Sequence, residues 1–170
     1  MDETGGIGKD GQIPWHSRKD FQFFVENTTR TSNPEECGDN GPQMLGIYTV
    51  TISPIKGIVI SVLSRTMEPV DDGELIVSGD LEEVLSKLTE MQQRNEIETI
   101  WNIGGRDLYG WALENGIAER LVVTHISGCF DANIKMPPIA WDDYEEDCSL
   151  RSDEQTDGPL KFVWRVYNHK

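Results

Sequence analysis

Apolar and polar positions alternate along the chain in two rhythms. Ile58 to Leu63 (IVISVL) is an apolar run, rich in β-branched residues and broken only by Ser61, as in a strand covered on both faces. Leu75-Ile76-Val77, Thr99 to Ile103 and Leu121 to Ile126 read as further strands, and Lys161 to Tyr167 alternates like a half-buried one. Leu81, Val84, Leu85, Leu88 and Met91 recur at helical spacing. They predict an amphipathic helix over 80–91, with Ser78 and Asp80 as candidate caps. Phe21, Phe24 and Val25 at i, i+3, i+4 predict a short helix with Asp20 in its first turn, where a carboxylate suits the helix dipole. A third helix should follow Gly104-Gly105, carry Leu108, Tyr109, Ala112 and Leu113, and stop at Gly116. The glycine-rich first fifteen residues and residues 30–43 read as loops.

Strands alternating with single helices predict a three-layer α/β architecture. A mostly parallel central sheet carries helices on both faces, and the last strand forms an antiparallel edge. At 170 residues, with no linker or long repeat, the chain suits a single domain over 1–170. Ligands of such sheets bind beyond the carboxyl ends of the strands, where the Gly104-Gly105 turn should lie.

Composition narrows the function. Hydrophobic residues make up 37% and charged residues 26%, and no apolar run approaches the roughly 18 residues of a membrane span. The N-terminus lacks the features of a secretory signal, and Cys37, Cys129 and Cys148 show no CxxC spacing, so a cytoplasmic protein with reduced thiols is expected. The net charge of −15 argues against nucleic acid as a partner. It leaves room for a phosphorylated cofactor, because charges beyond about 8 Å are screened at physiological salt.

The chemistry-bearing segments are individually modest. Gly6-Ile7-Gly8-Lys9-Asp10-Gly11 matches GxGxxG, but no strand precedes it and Pro14-Trp15 follows, so it is not a dinucleotide fingerprint. It remains either a mobile loop over a site or an ordinary surface loop. Gly104-Gly105 ends a strand and opens a helix, which suits close approach of a phosphate to free N–H groups, or else simply a tight turn. Ser64-Arg65-Thr66 ends another strand and could grip a phosphate monoester, although a solvated Arg is the commoner case. Asp20, beside Phe21 and Phe24, could accept two hydrogen bonds from an amidine-like heterocycle, or be a surface acid of a helix start. The three histidines have no metal-ligand spacing.

Taken in order, GIGKDGQIPW (6–15), the Asp20-Phe21 helix, VLSR (62–65), IWNIGGRDLY (100–109), VTHI (123–126) and the terminal KFVWRVY resemble animal-type dihydrofolate reductase. The resemblance implies NADPH as cofactor, dihydrofolate or a related pterin as substrate, tetrahydrofolate as product and a monomer. It implies that Asp20 anchors the pterin's amino group and ring nitrogen and assists protonation at N5 through water. Trp15 and Thr124 would order that water, and Phe21 and Phe24 would pack on the substrate. Ile103 would offer its carbonyl beside the ring, and Tyr109 would lie near the nicotinamide. For the cofactor it implies the loop of Gly6, Ile7, Gly8, Lys9, Asp10, Gly11 and Gln12. It adds Gly46 and Thr49, then Ser64, Arg65 and Thr66 at the 2′-phosphate. Gly104 and Gly105, with Arg106, Asp107 and Leu108, would hold the pyrophosphate. No metal is implied.

The chain also departs from the family pattern. The apolar strand expected before the glycine loop is not found ahead of Met1-Asp2-Glu3-Thr4, which should expose two strand edges. Ile47-Tyr48 stand where two basic residues are expected, and Ile58 stands where an Arg would grip the folate glutamate. Removing one charge from a ligand clamp costs on the order of 2–5 kcal/mol when its partner stays buried, which predicts impaired turnover. Two other readings stay open: a non-catalytic relative acting as a binding or interaction module, and a reductase of a related pterin or pyrimidine.

Overall fold

Parallel pairing is confined to the middle of the chain. A computed structural model describes residues 1–29, 43–48, 58–72 and 75–170, with backbone alone over 43–48 and 58–59. The elements are β1 (Gly6–Gly8), α1 (Arg18–Thr29), β2 (Gln43–Tyr48), β3 (Ile58–Leu63), β4 (Val70–Asp71), β5 (Leu75–Ser78), α2 (Leu81–Gln93), β6 (Ile97–Asn102), α3 (Arg106–Glu114), β7 (Arg120–Ile126), β8 (Ile134–Lys135), β9 (Tyr144–Glu146), β10 (Gln155–Asp157) and β11 (Leu160–His169). The chain divides into two compact units, Phe23–Gly105 and the combination of Met1–Gln22 with Arg106–Lys170.

In the Phe23–Gly105 unit the strand order is β4-β5-β3-β2-β6, parallel throughout except for β4. Ile60, Val62 and Val77 form its core, with Val70, Leu75 and Ile103 against them. The helical face predicted over 80–91 is real: Val84 and Leu88 of α2 are buried. Burial of a leucine such as Leu88 is worth about 1.5–3 kcal/mol. Asp80 is the N-cap, its carboxylate accepting from Glu82 N and Glu83 N. The other end closes at Asn95, in the left-handed region at φ 56, with Glu96 N returning to Met91 O at 2.9 Å.

In the other unit β11 pairs antiparallel with β7 on one side and with β9 and β10 on the other. The final strand is therefore interior to its sheet, and the antiparallel portion is larger than an edge strand. The acidic connection before it supplies the extra partners, and its segments QTD and YEE carry too little apolar alternation to be read as strands. Ile126, Leu160 and Phe162 make the core here, packed by Trp15, Phe130 and Trp164. The helix α3 ends as predicted: Gly116 sits at φ 65, with Ile117 N bonded to Ala112 O and Gly116 N to Leu113 O.

The opening segment is more ordered than its composition suggests. Its β1 pairs with β8, and Asp2 folds back under it. Among the described residues β6 and β7 each end a strand order. Met1 adds backbone bonds beside β7, donating to Thr124 O and accepting from Ile126 N.

Candidate active site

The acid predicted at the helix start is held by side chains from two strands. Ser17 caps α1, its hydroxyl accepting from Asp20 N at 3.1 Å while it donates to Asp157 Oδ2 at 2.8 Å. Asp157 also accepts from Lys19 N at 3.2 Å, so a carboxylate from β10 finishes the cap. This frees the Asp20 side chain to turn toward β7 and β11. There Thr124 Oγ1 donates to Asp20 Oδ1 at 2.7 Å, and Trp164 Nε1 donates to the same oxygen at 2.9 Å. Thr124 and Trp164 are direct partners in the antiparallel register, so their side chains leave one face of the sheet side by side. Phe21, next to Asp20, is 60% exposed, and Phe24 is half-buried.

The glycine loop is a tight hairpin. Lys9 and Gln12 exchange backbone bonds of 2.8 and 2.9 Å, and Asp10 and Gly11 between them both have positive φ, 51 and 79. That pair of angles defines the hairpin turn in which Asp-Gly is favoured. Asn133 holds the tip, its Nδ2 donating to Asp10 Oδ1 at 2.7 Å and its Oδ1 accepting from Asp10 N at 3.2 Å. Below the hairpin, Asp2 Oδ1 accepts from Gly6 N, Thr4 N and Thr4 Oγ1, and Oδ2 accepts from Phe130 N. With Asp2 only 4% exposed, these bonds hold its carboxyl at about 2, against the desolvation that works the other way. An open cleft of about 770 Å³ lies along the loop, lined by Lys9, Asp10, Gln12, Ile13, Pro14, Trp15, His16 and Phe130. Trp15 is thus part of the cleft and packs edge-on against Phe130 at 5.4 Å, while Asp20 is not among the lining residues.

The Gly104-Gly105 turn joins β6 to α3, as expected of its place in the sequence. Gly104, buried and at φ 113, donates its N–H to Asn102 Oδ1 at 3.2 Å, and its peptide to Gly105 is cis. Arg106 begins α3 and pairs with Asp107 at 3.3 Å, and Leu108 is buried one turn in. Burial pushes the Tyr109 hydroxyl up to about 12. Ile103 packs on the core of the parallel sheet. At the end of β3, Ser64 Oγ accepts from Thr66 N and Met67 N, at 3.3 and 3.1 Å, curling the chain so that Arg65 and Thr66 are exposed. Gly46 lies within β2, opposite Ile60 and Trp101. Thr49 lies outside the described residues, as do the side chains of Ile47, Tyr48 and Ile58.

Residues 53–169 match the family model for dihydrofolate reductase. The chain belongs to the dihydrofolate reductase family. A Caenorhabditis elegans protein assigned to dihydrofolate reductase is 32% identical to it, across 99% of this chain and 95% of that one. The Gallus gallus dihydrofolate reductase is 29% identical over 95% and 89% of the two chains. Among solved structures, Schistosoma mansoni dihydrofolate reductase shares the fold, with a TM-score of 0.79 at 24% identity and coverage of 100% and 94%.

Within this dihydrofolate reductase scaffold three residues around the site are not among those singled out from the sequence: Trp164, Ser17 and Asp2. Trp164 is visible in KFVWRVY only as an alternating apolar position, yet its N–H reaches the acid. Ser17 carries a legible signal, a serine three residues before an acid ahead of an apolar run, which is a helix-start signature. Asp2 carries none, since three of its four donors are backbone N–H groups set by the turn around it.

Proposed function

We propose that this chain catalyses NADPH-dependent reduction of 7,8-dihydrofolate to tetrahydrofolate, with residues 1–170 working as one cytoplasmic, monomeric domain. What carries the proposal is the Asp20 carboxylate, fixed by Thr124 and Trp164 beside the exposed ring of Phe21. A carboxylate oriented this way suits the paired donors of a 2-amino pterin edge. Asp20 anchors that edge, Phe21 and Phe24 pack on the substrate, and Ile103 offers its backbone carbonyl to the ring, as the family resemblance implies. Protonation at N5 runs through water ordered by Asp20, Thr124 and Trp15, so that the acid acts at a distance from the atom it serves.

The cofactor's donor set fits the residues present. Arg65 is exposed, next in sequence to the Ser64 and Thr66 hydroxyls, a set that suits a phosphate monoester. Gly104, Gly105 and the start of α3 at Arg106, Asp107 and Leu108 suit a pyrophosphate, as the positive end of a helix does. Gly46 and Thr49 complete that set, Tyr109 borders the nicotinamide, and the Gly6–Gln12 hairpin covers it. When bound, NADPH supplies the hydride. The Ile47, Tyr48 and Ile58 substitutions remove positive charge toward both ligands, so weakened affinity accompanies the activity.

The test is dihydrofolate-dependent NADPH oxidation by the purified chain beside Asp20→Asn. Turnover that collapses in the variant supports the reading. Absence of turnover in a folded wild-type sample would sink it and leave a non-catalytic relative in its place.

A further inference from the structure

We propose that Trp164 is a positioning residue for the acid of this site, deciding which oxygen of Asp20 is offered to the amidine edge of a pterin-class substrate. The proposal rests on the role given to Asp20 above. A carboxylate oxygen has about two lone-pair sites. Oδ1 of Asp20 already accepts from Thr124 Oγ1 at 2.7 Å and Trp164 Nε1 at 2.9 Å, so Oδ2 is the oxygen left for a ligand.

The two donors are not equivalent. A threonine hydroxyl can turn its proton to another acceptor, whereas an indole N–H is a donor only and points wherever the ring points. That ring is fixed. Its residue sits mid-strand in β11, its backbone N donates to Ser152 Oγ at 3.0 Å, and the ring tilts against Phe162 at 5.4 Å. Phe162 is 1% exposed, so the wall behind the indole belongs to the core. An apolar ring would fill the same half-buried place. What tryptophan adds is the N–H, and its acceptor is the acid. Trp164 thus transmits the rigidity of the β7–β11 pair to a helix-borne carboxylate.

Trp164→Phe removes the donor and keeps a ring. Loss of a hydrogen bond to a charged group weakens binding about tenfold or more. The expected outcome is therefore roughly a tenfold rise in KM for dihydrofolate and in Kd for 2,4-diaminopyrimidine, used as a bare amidine-edge probe. On the same argument kcat stays within about twofold and thermal protection by NADPH is unchanged. In an Asp20→Asn background the same substitution should add nothing to the loss of probe binding, since the effect runs through Asp20. An equal loss in both backgrounds, or loss of NADPH protection in step with the probe, would mean that the indole only supports the core, and the proposal would fall.

A wild-type chain that binds neither probe nor substrate overturns the functional reading instead. The Trp164 indole N–H resonance, assigned by its disappearance in Trp164→Phe, then decides the positioning role. It should move on Asp20→Asn, and an unmoved signal overturns the proposal whatever the activity.

Discussion

Gly6 donates its N–H to Asp2 Oδ1 at 2.6 Å, and a Cβ built on Gly6 would lie 2.7 Å from Asp2 Oδ2 and 2.4 Å from the Ala132 Cβ. Both separations are shorter than real Cβ contacts. The glycine is needed here for space rather than for backbone freedom, since its φ is not positive. Gly6→Ala must push apart Asp2, Ala132 and the β1–β8 pairing, and overpacking of this kind costs about 1–3 kcal/mol. Urea unfolding should give a lower midpoint with an unchanged slope; a midpoint equal to wild type would show that the opening segment is not clamped as described.

Asp2 itself predicts an acid-sensitive clamp. Its carboxyl is held at about 2, below the ordinary 3.8, by the bonds to Gly6, Thr4 and Phe130. Lowered in the folded state, the group contributes stability that is complete above its unfolded pKa and disappears as pH falls through the folded one. Asp2→Asn places an amide among N–H donors and loses that contribution. The stability gap between the two proteins should be constant above about pH 4 and shrink toward pH 2. A gap that stays flat across that interval would argue that the N–H bonds do not favour the ionised form.

On the opposite face of β7 from Thr124, His125 is a second acid-sensitive group. Its Nε2 lies 3.0 Å from Tyr167 Oη, and its pKa is lowered to about 4, first by burial and then by the Arg165 charge. Arg151 adds to the lowering and Glu146 opposes it. The unfolded chain takes up a proton near 6.5 while the native one stays neutral until about 4, so acidification through that window favours unfolding. His125→Gln removes the titration and keeps a polar side chain that can meet Tyr167. Between pH about 6.5 and about 4 the wild type should lose stability faster than the variant, read by denaturant unfolding at several pH values. Parallel curves would mean that His125 is already charged in the native protein.

How much of this was legible depends on what a residue does. The strand at Ile58–Leu63 and the helix face of Val84 and Leu88 follow from burial, which repeats with the period of the element and so shows in sequence. The caps at Asp80 and Gly116 follow from short-range geometry and were equally readable. The strands β9 and β10 were not, because they pair through backbone bonds to β11 and need no apolar pattern. At the site, Asp20 and Thr124 could be placed through the family resemblance. The third member, Trp164, lies 144 positions from the carboxylate it contacts, and alternation along β11 tells only which face it takes.

On the proposed function, the choice of cofactor turns on Arg65. It stands exposed at the end of β3, beyond a turn that Ser64 tightens. The chain as a whole carries −15, which repels a polyanionic ligand at long range, but screening confines that repulsion to about 8 Å at physiological salt. A local guanidinium therefore outweighs the distant acids, and it does so only for a ligand that brings a phosphate to it. NADPH and NADH differ by that one group. Arg65→Ala should raise KM for NADPH about tenfold or more, as expected for loss of a hydrogen bond between charged groups worth about 1.5–3 kcal/mol. NADH, which has nothing to place there, should be used as before. Raising the salt concentration should narrow the gap between wild type and variant, because an exposed pair is screened. If the variant loses NADH and NADPH use equally, Arg65 supports the turn rather than reading the phosphate, and the preference must come from elsewhere in the chain.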